Sequence, residues 1–285
     1  MAVDAEPVPI TRPSRAARPA TRRRWRPSAR VVLPIITGLC LLGIWQLVAE
    51  TLLPSFVARP IGIIQAVPSV LTSSASTNGL SHTGTFWTQV AATCGSVIEG
   101  MAIGTVVGMF LGLLMGQVDR VRWFFTPYVQ SLYAMPLIAL VPLVTLWFGY
   151  SSTTRLIVVL VAAVLPVTVT TADGARDTSK SHLDVGRVFG AKRRNLWFGI
   201  ALPSAVPHVM AGVQVGMARA ITNAVAAEVL STVPGLGLAT FTKSSSFHEN
   251  EAFVYVVTLA LFAVLARSVI LYARRKLAPW YTPTG

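Results

Sequence analysis

Apolar residues in this chain run together instead of recurring on one helical face. Six stretches, at approximately 31–50, 92–116, 129–148, 154–172, 204–227 and 252–273, are apolar almost throughout. Roughly 18 or more such residues cross a hydrocarbon core of about 30 Å. The pattern predicts six transmembrane helices in an all-α polytopic membrane protein, since a spanning segment must satisfy its own backbone hydrogen bonds. Between the first two spans, Pro54, Pro60 and Pro68 precede a polar run over 72–79. This predicts a short interfacial helix near 61–71, a polar turn, and an amphipathic lead-in over 86–93. Residues 119–123 read as a tight basic turn.

Irregularities within the spans carry more information than their length. Gly100, Gly104, Gly108, Gly112 and Gly116 recur every fourth residue in the second span. Overlapping Gly-x-x-x-Gly units allow close backbone approach. At about 100° per residue each step advances the stripe by about 40°, so the expectation is several crossing neighbours and not one straight partner. The third span holds Pro136 and Pro142, with Pro127 just before it. It should be kinked or broken, and a broken helix at membrane depth must face protein or a water-lined cavity. In the fifth span Arg219, Thr222 and Asn223 share one polar face, while Gly212, Gly216, Ala220 and Ala224 form a close-packing face. A charge inside a span is costly, so Arg219 is a candidate site. Two readings stay open: Arg219 lines a pathway, or it is half of a structural ion pair with Glu99.

Composition and charge fix the class. The chain is 53% hydrophobic and 12% charged, about half the charged share of an ordinary globular domain. Its net charge of +13 does not indicate nucleic acid. Eight of the 24 basic residues lie in the first 30 positions and six more between Arg176 and Arg194. Assigning the loops alternately puts nineteen basic residues on one side and three (Arg59, Arg155, Lys243) on the other. The positive-inside rule then places both termini and the 173–203 loop in the cytoplasm. Residues 1–30, rich in Arg, Pro and Ala, read as a disordered basic tail. Cys40 and Cys94 have no partner at ligand spacing, and His82, His182, His208 and His248 are scattered, so no metal site is expected. Glu50 and Arg267 lie near span ends, where long side chains snorkel, and receive no site role.

The 173–203 loop is the most specific feature. Thr178 or Ser179 is expected to cap a helix beginning near Lys180, and Val185, Val188 and Phe189 make one apolar strip. Gly190 reads as a left-handed stop. Such a helix, rimmed by Arg187, Lys192, Arg193 and Arg194, seeks a groove on another protein, the alternative being anionic headgroups. The full pattern is Asp184-Val185-Gly186, three residues, Gly190, nine residues, Ile200-Ala201-Leu202-Pro203. This resembles the EAA loop of the inner-membrane permeases of ATP-binding cassette (ABC) importers. The triplet departs from Glu-Ala-Ala, and Gly186 weakens the helix by up to about 1 kcal/mol relative to alanine.

The resemblance extends from about Leu132 to Gly237 and looks like the branch that imports nitrate, sulfonates and taurine. Its residues include Met135-Pro136, Pro142-Leu143, Leu146-Trp147-Phe148-Gly149, Ala227-Glu228 and Gly235-Leu236-Gly237. It implies the type I ABC importer permease fold, with a core over 92–273 after a first helix and external segment at 31–91, and a cytoplasmic end at 274–285. It further implies a bacterial cytoplasmic-membrane protein that pairs with a second copy, two cytoplasmic ATPase subunits and an external binding protein. Asp184, Val185, Gly186, Arg187, Val188, Phe189 and Gly190 would couple to the ATPase, and Glu228 would support the Gly235–Gly237 turn. Arg219, Thr222, Asn223, Met135 and Pro136 would line the pathway for a small anionic solute. No Gly-x-x-x-x-Gly-Lys-Ser/Thr run occurs in the chain, so ATP and magnesium are expected on the partner. An ion-coupled secondary transporter is the alternative, although the two halves show no internal repeat.

Overall fold

The computed structural model describes residues 29–51, 57–72, 84–190, 192–196, 199 and 202–279. The tail before residue 29 and most of the polar turn after Thr72 lie outside them. Ten α-helices are present among the described residues: α1 Ala29–Thr51, α2 Pro60–Thr72, α3 Phe86–Gln117, α4 Asp119–Ala134, α5 Val141–Phe148, α6 Ser152–Val188, α7 Arg193–Leu196, α8 Leu202–Leu230, α9 Leu236–Ser245 and α10 Glu249–Leu277. A 3₁₀ turn, Leu137–Leu140, precedes α5. The chain divides into two compact units, one ending at Ile44 and one beginning at Trp45. In the first, Leu33, Ile35 and Leu39 are exposed; a helix apolar all round with bare side chains is what a lipid-facing span requires.

In the second unit α6 lies between α3 and α8. The five glycines of the stripe, Gly100 to Gly116, all meet α6. A Cβ at Gly104 would stand 2.6 Å from the Ala163 methyl, at Gly108 2.8 Å from the Val164 carbonyl oxygen, and at Gly116 2.5 Å from the Ala175 methyl. The expectation of several crossing neighbours is therefore corrected. α6 presents its own four-residue series (Val159, Ala163, Val167, Thr171, Ala175), so the drift of one stripe is matched by the other and the two helices stay in contact. α8 packs by the same device: a Cβ at Gly212 would lie 2.8 Å from the Val167 Cα, and Ala220 and Ala224 are buried. Dispersion contacts at short backbone distance replace the hydrophobic contrast that lipid does not supply.

This packing gives the first testable result. A Cβ at Gly112 would fall 2.7 Å from the Thr168 carbonyl oxygen, and backbone cannot step aside as a side chain can. Gly112→Leu should destabilise by about 1–3 kcal/mol or more, seen as a lower thermal midpoint and lost monodisperse protein. Gly95→Leu, with no neighbour within 4 Å, should be tolerated. Equal behaviour of the two variants would refute the packing account.

The third span is broken, as its prolines require. α4 ends at Ala134, Met135 turns extended with ψ 137, and Pro136 follows. A residue before proline is pushed out of the helical region. The chain bends by 92° between α4 and the Leu137–Phe148 segment. Two details differ from expectation. Pro127 lies inside α4, and 119–123 is the first turn of that helix, closed by an Asp119–Arg122 ion pair at 2.9 Å; Val118 alone separates α3 from α4.

Six equivalent spans are not found. Among the described residues four helices are long and apolar enough to cross a membrane, or five if the bent pair counts as one span. α8, at 29 residues, is long enough, but Gln214, Arg219, Asn223 and Glu228 reduce its apolarity. The expected interfacial helix is α2, tied to α10 where the Arg59 amide donates to Asn250 at 3.0 Å.

α6 also corrects a boundary. Its backbone stays helical through 178–180 as one element of 37 residues, so no separate helix begins at Lys180. Nothing in 175–185 breaks a helix. At 1.5 Å per residue it is about 55 Å long, well beyond the hydrocarbon core of about 30 Å.

Candidate functional site

At the Arg155 end of α6, four helices meet in one polar network. Glu228, in the last turn of α8, is 0% exposed and Arg155, in the first turn of α6, is 5% exposed. The Arg155 Nη1 donates to Glu228 Oε1 at 3.3 Å and to the Pro234 carbonyl at 2.7 Å. The Thr93 hydroxyl of α3 donates to the same carboxylate oxygen at 2.6 Å and accepts from the Leu236 amide at 2.9 Å. Glu228 Oε2 accepts from the Gly237 amide at 2.7 Å. That amide belongs to the first turn of α9, where unpaired N–H groups favour a negative charge. A Cβ at Gly235 would meet the Glu228 carboxyl carbon at 2.2 Å, so a side chain there would push the carboxylate out of this network. The expected support of the Gly235–Gly237 turn by Glu228 is thus present. Arg155 is the residue that sequence reasoning missed, having been read only as a loop charge.

Near the helix break, Arg219 stacks on Tyr133, its guanidinium carbon 4.0 Å from the ring centroid. Its Nη1 also donates to the Tyr133 carbonyl at 3.4 Å. Glu99 is exposed, and among the described residues the two form no ion pair. The structural-pair reading is therefore replaced by a cation–π contact. Tyr133 lies two residues before Met135, so the structure brings Arg219 to the Met135-Pro136 break. Thr222 donates to the Ala218 carbonyl at 3.0 Å and the Asn223 amide to the Arg219 carbonyl at 2.9 Å. Both fold back onto their own helix and do not join the guanidinium. Arg219 lines a cavity of about 730 Å³ between α8 and α10.

At the opposite end of α6, Val188 and Phe189 are each 85% exposed and Val185 is exposed beside them. The Phe189 amide closes the last turn on the Val185 carbonyl at 3.1 Å. Gly190 follows at φ +72, the left-handed stop that the sequence predicted. The side chains of Asp184, Gly186 and Arg187 lie outside the described ones, though their backbone is helical. Bare valine and phenylalanine side by side form an exposed apolar patch of the kind that contact surfaces use.

Residues 104–282 match the family described as binding-protein-dependent transport system inner membrane component. The chain belongs to that family. It is a multi-pass permease component of an ABC importer and not an enzyme; hydrolysis of ATP takes place on a separate subunit. Membership favours this over an ion-coupled secondary transporter. Among similar proteins, the formylaminopyrimidine transport permease ThiX of Halalkalibacterium halodurans is 29% identical over 89% of this chain and 97% of its own. The taurine transport permease TauC of Escherichia coli is 26% identical over 90% and 93%, and the nitrate import permease NrtB of Leptolyngbya laminosa 25% identical over 88% of each chain. The fold is shared with the MetNI methionine ABC transporter in inward-facing form, at TM-score 0.52 and 16% identity over 66% of this chain and 96% of that one. An amino acid ABC transporter has TM-score 0.55 and 11% identity over 76% and 97%.

Proposed function

We propose that two copies of this permease form the translocation pathway of an importer, driven by two cytoplasmic ATPase subunits that hold ATP and magnesium. The observation that carries this reading is the bare Val185, Val188 and Phe189 strip, ended by a left-handed glycine, in a member of this family. Residues 184–190 dock into a cleft of the ATPase, and the cytoplasmic side is the one bearing nineteen basic residues. A pathway between two copies related by a two-fold axis has an isologous interface. Arg219 and the Met135-Pro136 break line it, with Thr222 and Asn223 on the same helical face. The solute is a small anion delivered by an external binding protein. Cationic Arg219 beside a broken helix supports this, as do relatives named for taurine, aliphatic sulfonates and nitrate. A further relative is named for formylaminopyrimidine, a nitrogen heterocycle, so Arg219 carries more of this reading than the names do.

Reconstitution tests it. In vesicles containing this permease and its ATPase, uptake should require ATP and the binding protein, and the purified complex should have the mass of two permeases with two ATPases. Uptake driven by an ion gradient alone, or a complex holding a single permease, would overturn the proposal.

A further inference from the structure

Arg219 is not the only cation at its cavity. Arg267 of α10 lines the same space, with Ala218, Val215, Met217 and Val264 among its walls. Among the described residues Arg267 has no hydrogen-bond or ion-pair partner, and Arg219 spends one N–H on Tyr133. A guanidinium offers five N–H donors in a planar fork suited to two oxygens of one anion. Arg219 is half-buried and Arg267 exposed, and among the described residues neither has a carboxylate beside the largely apolar cavity they share, so positive charge stands unpaired in a spanning segment.

We infer that Arg219 and Arg267 together form an anion site between α8 and α10, for an organic anion that pairs a sulfonate or carboxylate with an apolar body. The inference rests on the pathway reading of Arg219 and adds a second residue and a substrate class to it. Charge complementarity selects the head group. The lining selects the body: a bare inorganic oxyanion would leave the apolar walls of Val215, Met217 and Val264 without contact. Small pockets bind by burying apolar surface while a few polar groups fix orientation. The same head-group chemistry occurs in anionic lipid, so the test must separate the two sources.

The experiment uses the full-length permease, purified in detergent with its ATPase, and butanesulfonate as the probe. Butanesulfonate should bind, and neutral butanesulfonamide and nitrate should bind at least about tenfold more weakly. Arg219→Gln and Arg267→Gln should each weaken binding about tenfold or more, the loss of one charge-assisted contact. Arg267→Lys should recover part of it. Ala218→Trp, which keeps both charges and fills the cavity, should abolish it and separates a blocked site from a misfolded protein. Unchanged binding in Arg267→Gln, or equal binding of nitrate, would overturn the assignment. So would native mass spectrometry in which Arg267→Gln loses a bound phosphatidylglycerol that butanesulfonate cannot displace. ATP hydrolysis by the same preparation reports the importer reading separately. Binding without an associated ATPase would leave the site standing and remove the importer reading, whereas hydrolysis without binding would do the reverse.

Discussion

Glu228→Gln is expected to destabilise the permease by about 3–5 kcal/mol, because it leaves the Arg155 guanidinium buried and unbalanced. Arg155→Ala should cost a similar amount by stranding the carboxylate. The reason is geometric. Glu228 accepts from Thr93 and Arg155 at one oxygen and from the Gly237 amide at the other, so one carboxylate ties α3, α6 and α9 to α8, and an amide can accept on only one of those two sides. The Arg155→Gln/Glu228→Gln double variant should recover part of the loss, since two neutral amides in the same place strand no charge. Thermal midpoints of the detergent-purified protein measure all of these. Wild-type midpoints in both single variants, or a double variant whose loss is the sum of the two, would show that the pair is not coupled.

Gly190→Pro is expected to reduce transport at least about tenfold while leaving yield and thermal midpoint near those of the parent protein. Proline holds φ near −65°, and Gly190 stands at φ +72. The chain would leave α6 in another direction. Val188 and Phe189 are already exposed, so little packing is lost. What changes is the aim of the surface that we propose docks on the ATPase. Gly190→Ala keeps the chain free to reach the left-handed region at a cost of roughly 1–2 kcal/mol, and should be milder. Full transport by the proline variant would disconnect this turn from coupling.

Features set by neighbouring residues were legible in the sequence. The Met135-Pro136 break follows from a steric rule acting between adjacent residues, and the Gly190 stop from a glycine placed after an apolar strip. Four of the six expected spans follow from length and apolarity, whereas the third is broken at its prolines and the fifth carries too many polar residues to read as one. Features set by distant residues were not. Arg155 and Glu228 are 73 positions apart, and neither lies in a local pattern that names the other. The glycines of α3 announced a close partner but not its identity, because the matching series on α6 includes valine, threonine and alanine and does not stand out. By sequence Arg267 is a residue near a span end; only the facing of α8 and α10 puts it at the Arg219 cavity. The unbroken course of α6 was hidden by Thr178 and Ser179, which would cap a helix if one began there and are tolerated within one that does not.

That unbroken course makes α6 a lever. Arg155 sits in its first turn and Val188 at its last, about 50 Å apart along the axis. Tilting such a rod by roughly 5° about one end carries the other through about 4 Å, somewhat less than one helical pitch. On the coupling proposed above, a push on Phe189 would reach the Glu228 network as displacement, less whatever α6 yields along its length. Pro166 is where the rod can give, since proline lacks the N–H that would otherwise close the helical ladder there. Both ends of the machine are set by the stiffness of a single helix.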